Sequence, residues 1–155
     1  MTKSISRPIP RLLLFGYGNP GRGDDVLGPL FVEKVIQLKP KRMNCQRDMQ
    51  LLVEHVTDLD EHEQTLFVDA DMSCAEPFEF STVSAQKDAS YTSHALTPEA
   101  LLYAYQQVYR RGAPEAFLLR IRGYHFALGN RISHKAVDNL NVAIQFFCQR
   151  YMPRP

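Results

Sequence analysis

Residues 12–15, Leu-Leu-Leu-Phe, run directly into GYGNPGRGDDVLGP, Gly16 to Pro29. A short, nearly continuous apolar run from Arg11 to Gly16 is the pattern of a strand buried on both faces, as in parallel sheets covered by helices. Beyond the loop, Leu27, Phe31, Val35 and Leu38 recur at helical spacing, with Glu33, Lys34 and Gln37 on the other side. The stretch therefore reads as strand, glycine-rich loop and helix, the opening unit of an α/β domain. Its glycines at 16, 18, 21 and 23 invite comparison with a phosphate-binding loop, yet the loop closes on two adjacent acids, Asp24 and Asp25.

Gly16-x-Gly18-x-x-Gly21 satisfies the dinucleotide fingerprint, which makes a dinucleotide-binding oxidoreductase module the first alternative. Two features oppose it. In that fingerprint the helix opens at the glycines so that its amides face the pyrophosphate. Here Asn19-Pro20 intervenes, and the helix is expected to begin only near Asp24 or Asp25. Two carboxylates would also stand where a phosphate must lie, with only Arg22 to offset them, a repulsion of about several kcal/mol in a partly buried site. A cap role at the helix start accounts for one of the acids and leaves the other unexplained. Pro29 is compatible with the helix if it falls in the first turn, and Lys39-Pro40-Lys41 ends it.

Further strands are expected near Gln50 to Val56, over Gln64 to Asp69, over Phe78 to Val83 and over Ala116 to Ile121. Only about eight residues separate the third and fourth, too few for a parallel crossover, so those two are expected to be antiparallel if they pair. Thr97-Pro98 is a helix start, with threonine as N-cap and proline at the first helical position, followed by the stripe Leu101, Leu102, Tyr105 and Val108. Ser133 to Tyr151 is the last helix, with Val137, Leu140, Ile144 and Phe147 facing inward. The expected fold is an α/β three-layer sandwich: a mostly parallel five-stranded sheet with one antiparallel strand and helices on both faces. It occupies one domain spanning residues 1–155, with residues 1–10 expected to be flexible.

In open parallel sheets ligands bind at the carboxyl ends of the strands, and Asp25 and Asp69 both belong at that edge. His94 lies in YTSHALTP, a loop leading into the helix at Pro98. Carboxylate oxygens with an imidazole nitrogen suit a borderline divalent ion such as zinc or nickel and leave coordination positions open. Asp24 and Asp71 are expected as supporting acids or caps. His55, His62 and His134 are expected on surfaces or loops, with His125 the one of these that has some prospect of lining the cleft. Cys74 has no local activating group and is read as an inert thiol. No H-E-x-x-H and no G-x-S-x-G occurs.

GYGNPGRGDDVLG, LFVDA and SHALTPEALL, in this order and spacing, resemble the hydrogenase maturation endopeptidases, and FALGNRISHKAV is similar to the family's segment before its last helix. The resemblance covers almost the whole chain. It implies a protease that removes a carboxy-terminal extension from the large-subunit precursor of a nickel–iron hydrogenase. The family's acidic ligands fall on Asp25 and Asp69 and its histidine on His94, and these three would carry both catalysis and metal recognition. The metal is nickel already inserted in the precursor, or another divalent ion such as zinc held at the same site. Val26 departs from the small residue, usually glycine, that many members carry beside the second acid. A non-catalytic metal-dependent maturation chaperone is the other alternative.

The bulk composition suits one compact domain. Of 155 residues, 45% are hydrophobic and 23% charged, which suits one compact core. Eighteen basic against seventeen acidic residues give a net charge of +1, so charge proposes neither a nucleic acid nor a membrane surface as partner. The amino terminus shows no apolar segment of signal-peptide length. The widely spaced Cys45, Cys74 and Cys148 read as reduced thiols of a cytoplasmic protein, expected as a monomer. The basic stretch Lys39 to Arg42 reads as a solvated loop.

Overall fold

The computed structural model describes residues 11–87 and 95–152. The expectation for residues 1–10, and His94 itself, lie outside the described residues. Strand β1 (Leu12–Tyr17) is followed by a 3-10 turn (Gly23–Val26), helix α1 (Leu27–Gln37) and strand β2 (Met43–Asp48). A second 3-10 turn (Val53–His55) leads into the short helix α2 (Val56–Asp60), then strands β3 (Gln64–Asp71) and β4 (Phe78–Val83). Helix α3 (Pro98–Tyr109), strand β5 (Glu115–Arg122) and helix α4 (His134–Tyr151) complete the order.

The strands form one sheet in the order β2-β1-β3-β5-β4, with every neighbouring pair parallel except β4 with β5. Side chains of alternate residues leave the sheet on opposite faces, and two separate clusters result. Leu12, Leu14, Leu66, Val68, Leu119 and Ile121 pack with α1 and α4 through Phe31, Val35, Leu140 and Phe147. Leu13, Phe15, Phe67 and Ala116 pack with α2 and α3 through Val56, Leu59, Leu101 and Tyr105. The three-layer sandwich with one antiparallel strand is therefore the architecture found.

β3 and β4 run in opposite directions, as expected, but they do not pair. β4 lies beside β5, not β3, because β5 inserts between them with Asp69 opposite Arg120 and Phe80 opposite Leu119. The second strand also moves. The apolar residues of the 50–56 stretch form a turn and the start of α2, whereas the strand is the polar-looking MNCQRD. An edge strand has one flank open to solvent, so it lacks the continuous apolar signal of a central one. Leu51, Val56 and Leu59 still reach the core, from the helical layer. On α3, Leu101, Leu102 and Tyr105 are buried as expected, but Val108 is 57% exposed. Thr97 does cap α3, accepting from the Ala100 amide at 3.1 Å, and Ser133 caps α4 in the same way from Ala136 at 3.2 Å.

The chain leaves β1 towards β2 through α1 and returns past β1 to β3 through α2. The point where strand order reverses is thus the gap between the carboxyl ends of β1 and β3, the usual position of a ligand crevice in such sheets.

Candidate active site

Each glycine of the quoted stretch that packs tightly does so against protein backbone. A Cβ at Gly16 would stand 2.2 Å from the Gly28 carbonyl oxygen, and one at Gly28 would stand 2.4 Å from that of Tyr17 and 2.5 Å from that of Val68. Helix α1 therefore begins in direct backbone contact with the ends of β1 and β3. Gly28→Ala is expected to cost about 1–3 kcal/mol by forcing that helix off the sheet, read as a lowered urea midpoint at unchanged slope; an unaltered midpoint would show that the helix end gives way freely. Gly18, at a φ of +154°, has no room for a Cβ either, which would fall 1.9 Å from the Asp25 carbonyl oxygen. Gly16 and Gly18 thus let the loop fold back onto its own backbone carbonyls.

The loop is tied by its own polar atoms. The Asn19 side-chain oxygen accepts from the Gly21 amide at 2.8 Å, and the Asn19 amide donates to Asp25 Oδ2 at 2.8 Å. Asp25 does not cap α1; its carboxylate turns back to the loop, and neither helical segment here has a side-chain cap bond. Asp24 does not cap it either. Fully buried, its carboxylate accepts from the amides of Tyr124 (2.7 Å), His125 (3.0 Å) and Ser133 (2.7 Å) and from the Ser133 hydroxyl (2.8 Å). The Asp24 amide donates to the His125 carbonyl at 2.7 Å, and Gly129 donates to that of Gly21 at 2.8 Å. Two loops 100 to 109 residues apart are joined through one carboxylate. Burial pushes the Asp24 carboxyl up, but these donors outweigh it and hold the group below its usual range.

Asp69 ends the central run of β3 on the face shared with Phe67, beside Tyr17 of β1. Its Oδ1 accepts from the Ala70 amide at 2.8 Å, and the Tyr17 hydroxyl donates to it. Burial pushes this carboxyl up to about 7, and the nearby negative charge of Asp25 adds to the rise, against the two hydrogen bonds. Tyr17 is held well above its ordinary 10 by burial and by Asp69, Glu99 and Asp25, so it stays a donor. The structure thus brings Asp25, Asp69 and Tyr17 together at the reversal point. The rest of the expected triad, His94, is outside the described residues. Among the described residues, no group of three or more His, Cys, Asp or Glu converges as a metal site. The described donors are two carboxylates, one of which an incoming cation would have to relieve of its proton near neutral pH.

The other candidates fall elsewhere. Asp71 accepts from Ser73, Cys74 and Arg120, and Arg120 also reaches Glu79 at 2.5 Å, so this acid organises the β3–β4 turn. Cys74 is buried beneath it, and burial raises its thiol, as fits an inert cysteine. His62 and His134 are not buried. His125 is exposed and serves the site through its backbone, which exchanges two hydrogen bonds with Asp24. His55 overturns the surface reading. It is 6% exposed and stacks edge-on against Phe15 with centroids 4.9 Å apart. Its Nδ1 accepts from the Leu52 amide at 2.8 Å, which leaves the proton on Nε2 to donate to Asp48 at 3.0 Å. Tyr17 and His55 are the residues that sequence reasoning passed over. Tyr17 continues the Leu13–Phe15 alternation onto one face of β1, a signal that was present, whereas nothing local marks His55.

The chain has the architecture of an open α/β sandwich with carboxylates gathered at the switch point of its sheet. Within that class it shares the fold of the hydrogenase maturation proteases. It superposes on the NiFe hydrogenase maturation protease HycI from Thermococcus kodakarensis with a TM-score of 0.70 and 19% identity, covering 92% of each chain. With the hydrogenase maturating endopeptidase HybD from E. coli the TM-score is 0.72 at 15% identity, covering 90% of this chain and 91% of that one. The hydrogenase 2 maturation peptidase from a Thaumarchaeota archaeon gives 0.67 at 19% identity, over 93% and 99% of the two chains. No protein-family model and no curated protein sequence matches the chain.

Proposed function

We propose that this protein is an endopeptidase that removes the carboxy-terminal extension of a nickel–iron hydrogenase large-subunit precursor after nickel insertion. The observation that carries this reading is the pair Asp25 and Asp69 at the switch point, with Asp69 raised to about 7, in a chain folded as the maturation proteases are. The nickel belongs to the substrate. Asp25 and Asp69, with His94, complete its coordination from an open side, so that a precursor lacking the ion leaves two carboxylates facing each other without a cation between them.

The chain's own residues have distinct roles in this scheme. Tyr17 orients the Asp69 carboxyl by donating to it. The Asn19 amide holds Asp25 against the loop. An acid poised near neutrality can hold or release a proton during peptide hydrolysis, and Asp69 is that acid before the ion arrives. The same scheme places the reaction in the cytoplasm; among the described residues no helix is long and apolar enough to cross a membrane. The dinucleotide alternative is not favoured, because α1 opens only at Leu27, beyond the glycines and after Asp24 and Asp25, and Gly16 and Gly18 are packed against protein backbone.

Mass spectrometry of nickel-loaded and nickel-free precursor after incubation with the protein tests the proposal. Loss of a carboxy-terminal peptide from the nickel-loaded form alone is expected. Asp25→Asn, Asp69→Asn and His94→Ala are each expected to slow cleavage about a hundredfold or more, with circular dichroism unchanged. Normal cleavage by these variants would remove the site assignment. Binding of an intact, never-shortened precursor would replace the protease by a maturation chaperone.

A further inference from the structure

β2 is one edge of the sheet, and among the described residues β1 is its only strand partner. No backbone hydrogen bond of Met43–Asp48 is made on the outer side among those residues. Natural edge strands are blunted by proline, charged side chains, bulges or covering elements; the first four residues of β2, Met43-Asn44-Cys45-Gln46, contain no proline and no charge, and the charged pair at its end is engaged elsewhere, Arg47 with Glu33 and Asp48 with His55. At its carboxyl end the strand runs into a groove of about 400 Å³ walled by Pro20, Val26, Pro29 and Met49. Arg47, paired with Glu33 at 3.5 Å, closes one side. Met49 is 56% exposed, a large apolar side chain open to solvent at the groove mouth. The groove borders the Asp25 loop: Val26 and Gly18 line it, and a Cβ at Gly18 would lie 1.9 Å from the Asp25 carbonyl oxygen and 3.4 Å from Asp25 Oδ1.

We propose that the β2 edge and this groove receive the extended segment of the precursor that leads to the scissile bond. The segment adds as a strand beside β2, and one of its apolar side chains seats between Val26 and Met49. This rests on the endopeptidase reading above. A row of unpaired ladder groups recognises extended polypeptide backbone and little else, while the pocket beside it reads a side chain. The opposite edge, β4, is separated from β1 by β3 and β5 and so is remote from the Asp25 loop. Asp48 fixes the end of the docking strand: its carbonyl accepts from the Gly18 amide at 3.1 Å, and its carboxylate meets His55 at 3.0 Å.

Hydrogen–deuterium exchange of the full chain, alone and with nickel-loaded large-subunit precursor, is the test, run beside the cleavage assay. Slowed exchange across residues 43–49 is expected on mixing. Met49→Glu is expected to raise KM for the precursor about tenfold with kcat nearly unchanged, and Met49→Leu to restore it, because a uniform binding contact is lost and regained. Cleavage that proceeds with no protection of residues 43–49 and no effect of Met49→Glu would overturn the docking proposal and leave the protease standing. Protection of β2 that grows with the protein's own concentration would assign the edge to a second copy instead. Absence of both binding and cleavage would remove the endopeptidase reading, and this proposal with it.

Discussion

Asp24→Ala is expected to destabilise the protein by about 3–5 kcal/mol, more than any other single substitution in the loop. The reason lies in what stays behind. The amides of Tyr124, His125 and Ser133 point at one carboxylate in a position without solvent exposure. Removing the acceptor leaves three buried donors, each carrying about 1–3 kcal/mol of desolvation if unmatched, part of which entering water would relieve. Asp24→Asn should cost less, since a carboxamide oxygen still accepts while its amino group faces at least one of those donors. The carboxyl is held below its usual range in the folded state, so it adds stability above the unfolded value of 3.8 and loses it as pH falls through the folded one. Urea denaturation at neutral pH and again near pH 3 checks both points. A loss under about 1 kcal/mol at neutral pH would mean that the 123–133 loop rearranges freely, and that Asp24 does not hold the Asp25 loop in place.

Asp69→Asn should act in the opposite direction. With the carboxyl raised from 3.8 to about 7, the unfolded chain releases its proton at lower pH than the folded one. Between about pH 4 and 7 the folded state therefore binds more protons, and stability falls as pH rises through that window. The full effect corresponds to up to about 4 kcal/mol. Asparagine keeps an acceptor for Ala70 or Tyr17 without the charge, so the variant should lose this slope and be the more stable protein at pH 8 in the presence of a chelator. Denaturation midpoints at pH 5 and pH 8 decide it; parallel profiles for the two proteins would show that Asp69 is not strained by burial and by Asp25. Combined with lost cleavage, a stabilised Asp69→Asn would mark a residue kept for chemistry at the expense of the fold.

Much of this was legible in the order of residues. The apolar runs at Leu12 to Phe15 and Leu66 to Val68 read as buried strands, and Thr97-Pro98 and Ser133 as helix starts, because those signals are local: hydrophobic periodicity, a fixed φ and a side-chain oxygen within reach of the next turn. The acids Asp25 and Asp69 were placed at one edge by the same logic, since parallel strands point their carboxyl ends the same way. Tertiary structure decided the rest. An edge strand such as Met43–Asp48 has little apolar signal of its own, and β5 came between β3 and β4 through pairings that no window of sequence contains. The duty of Asp24 depends on three amides a hundred positions away, and the burial of His55 on the ring of Phe15 in another element. Sequence by itself determined four of the five strands, the helices α1, α3 and α4, and the edge where the acids gather, because these follow from short-range geometry. Only the folded chain decided which acid is held, which is strained and which strand is left open, because those properties arise from desolvation and from partners distant in sequence.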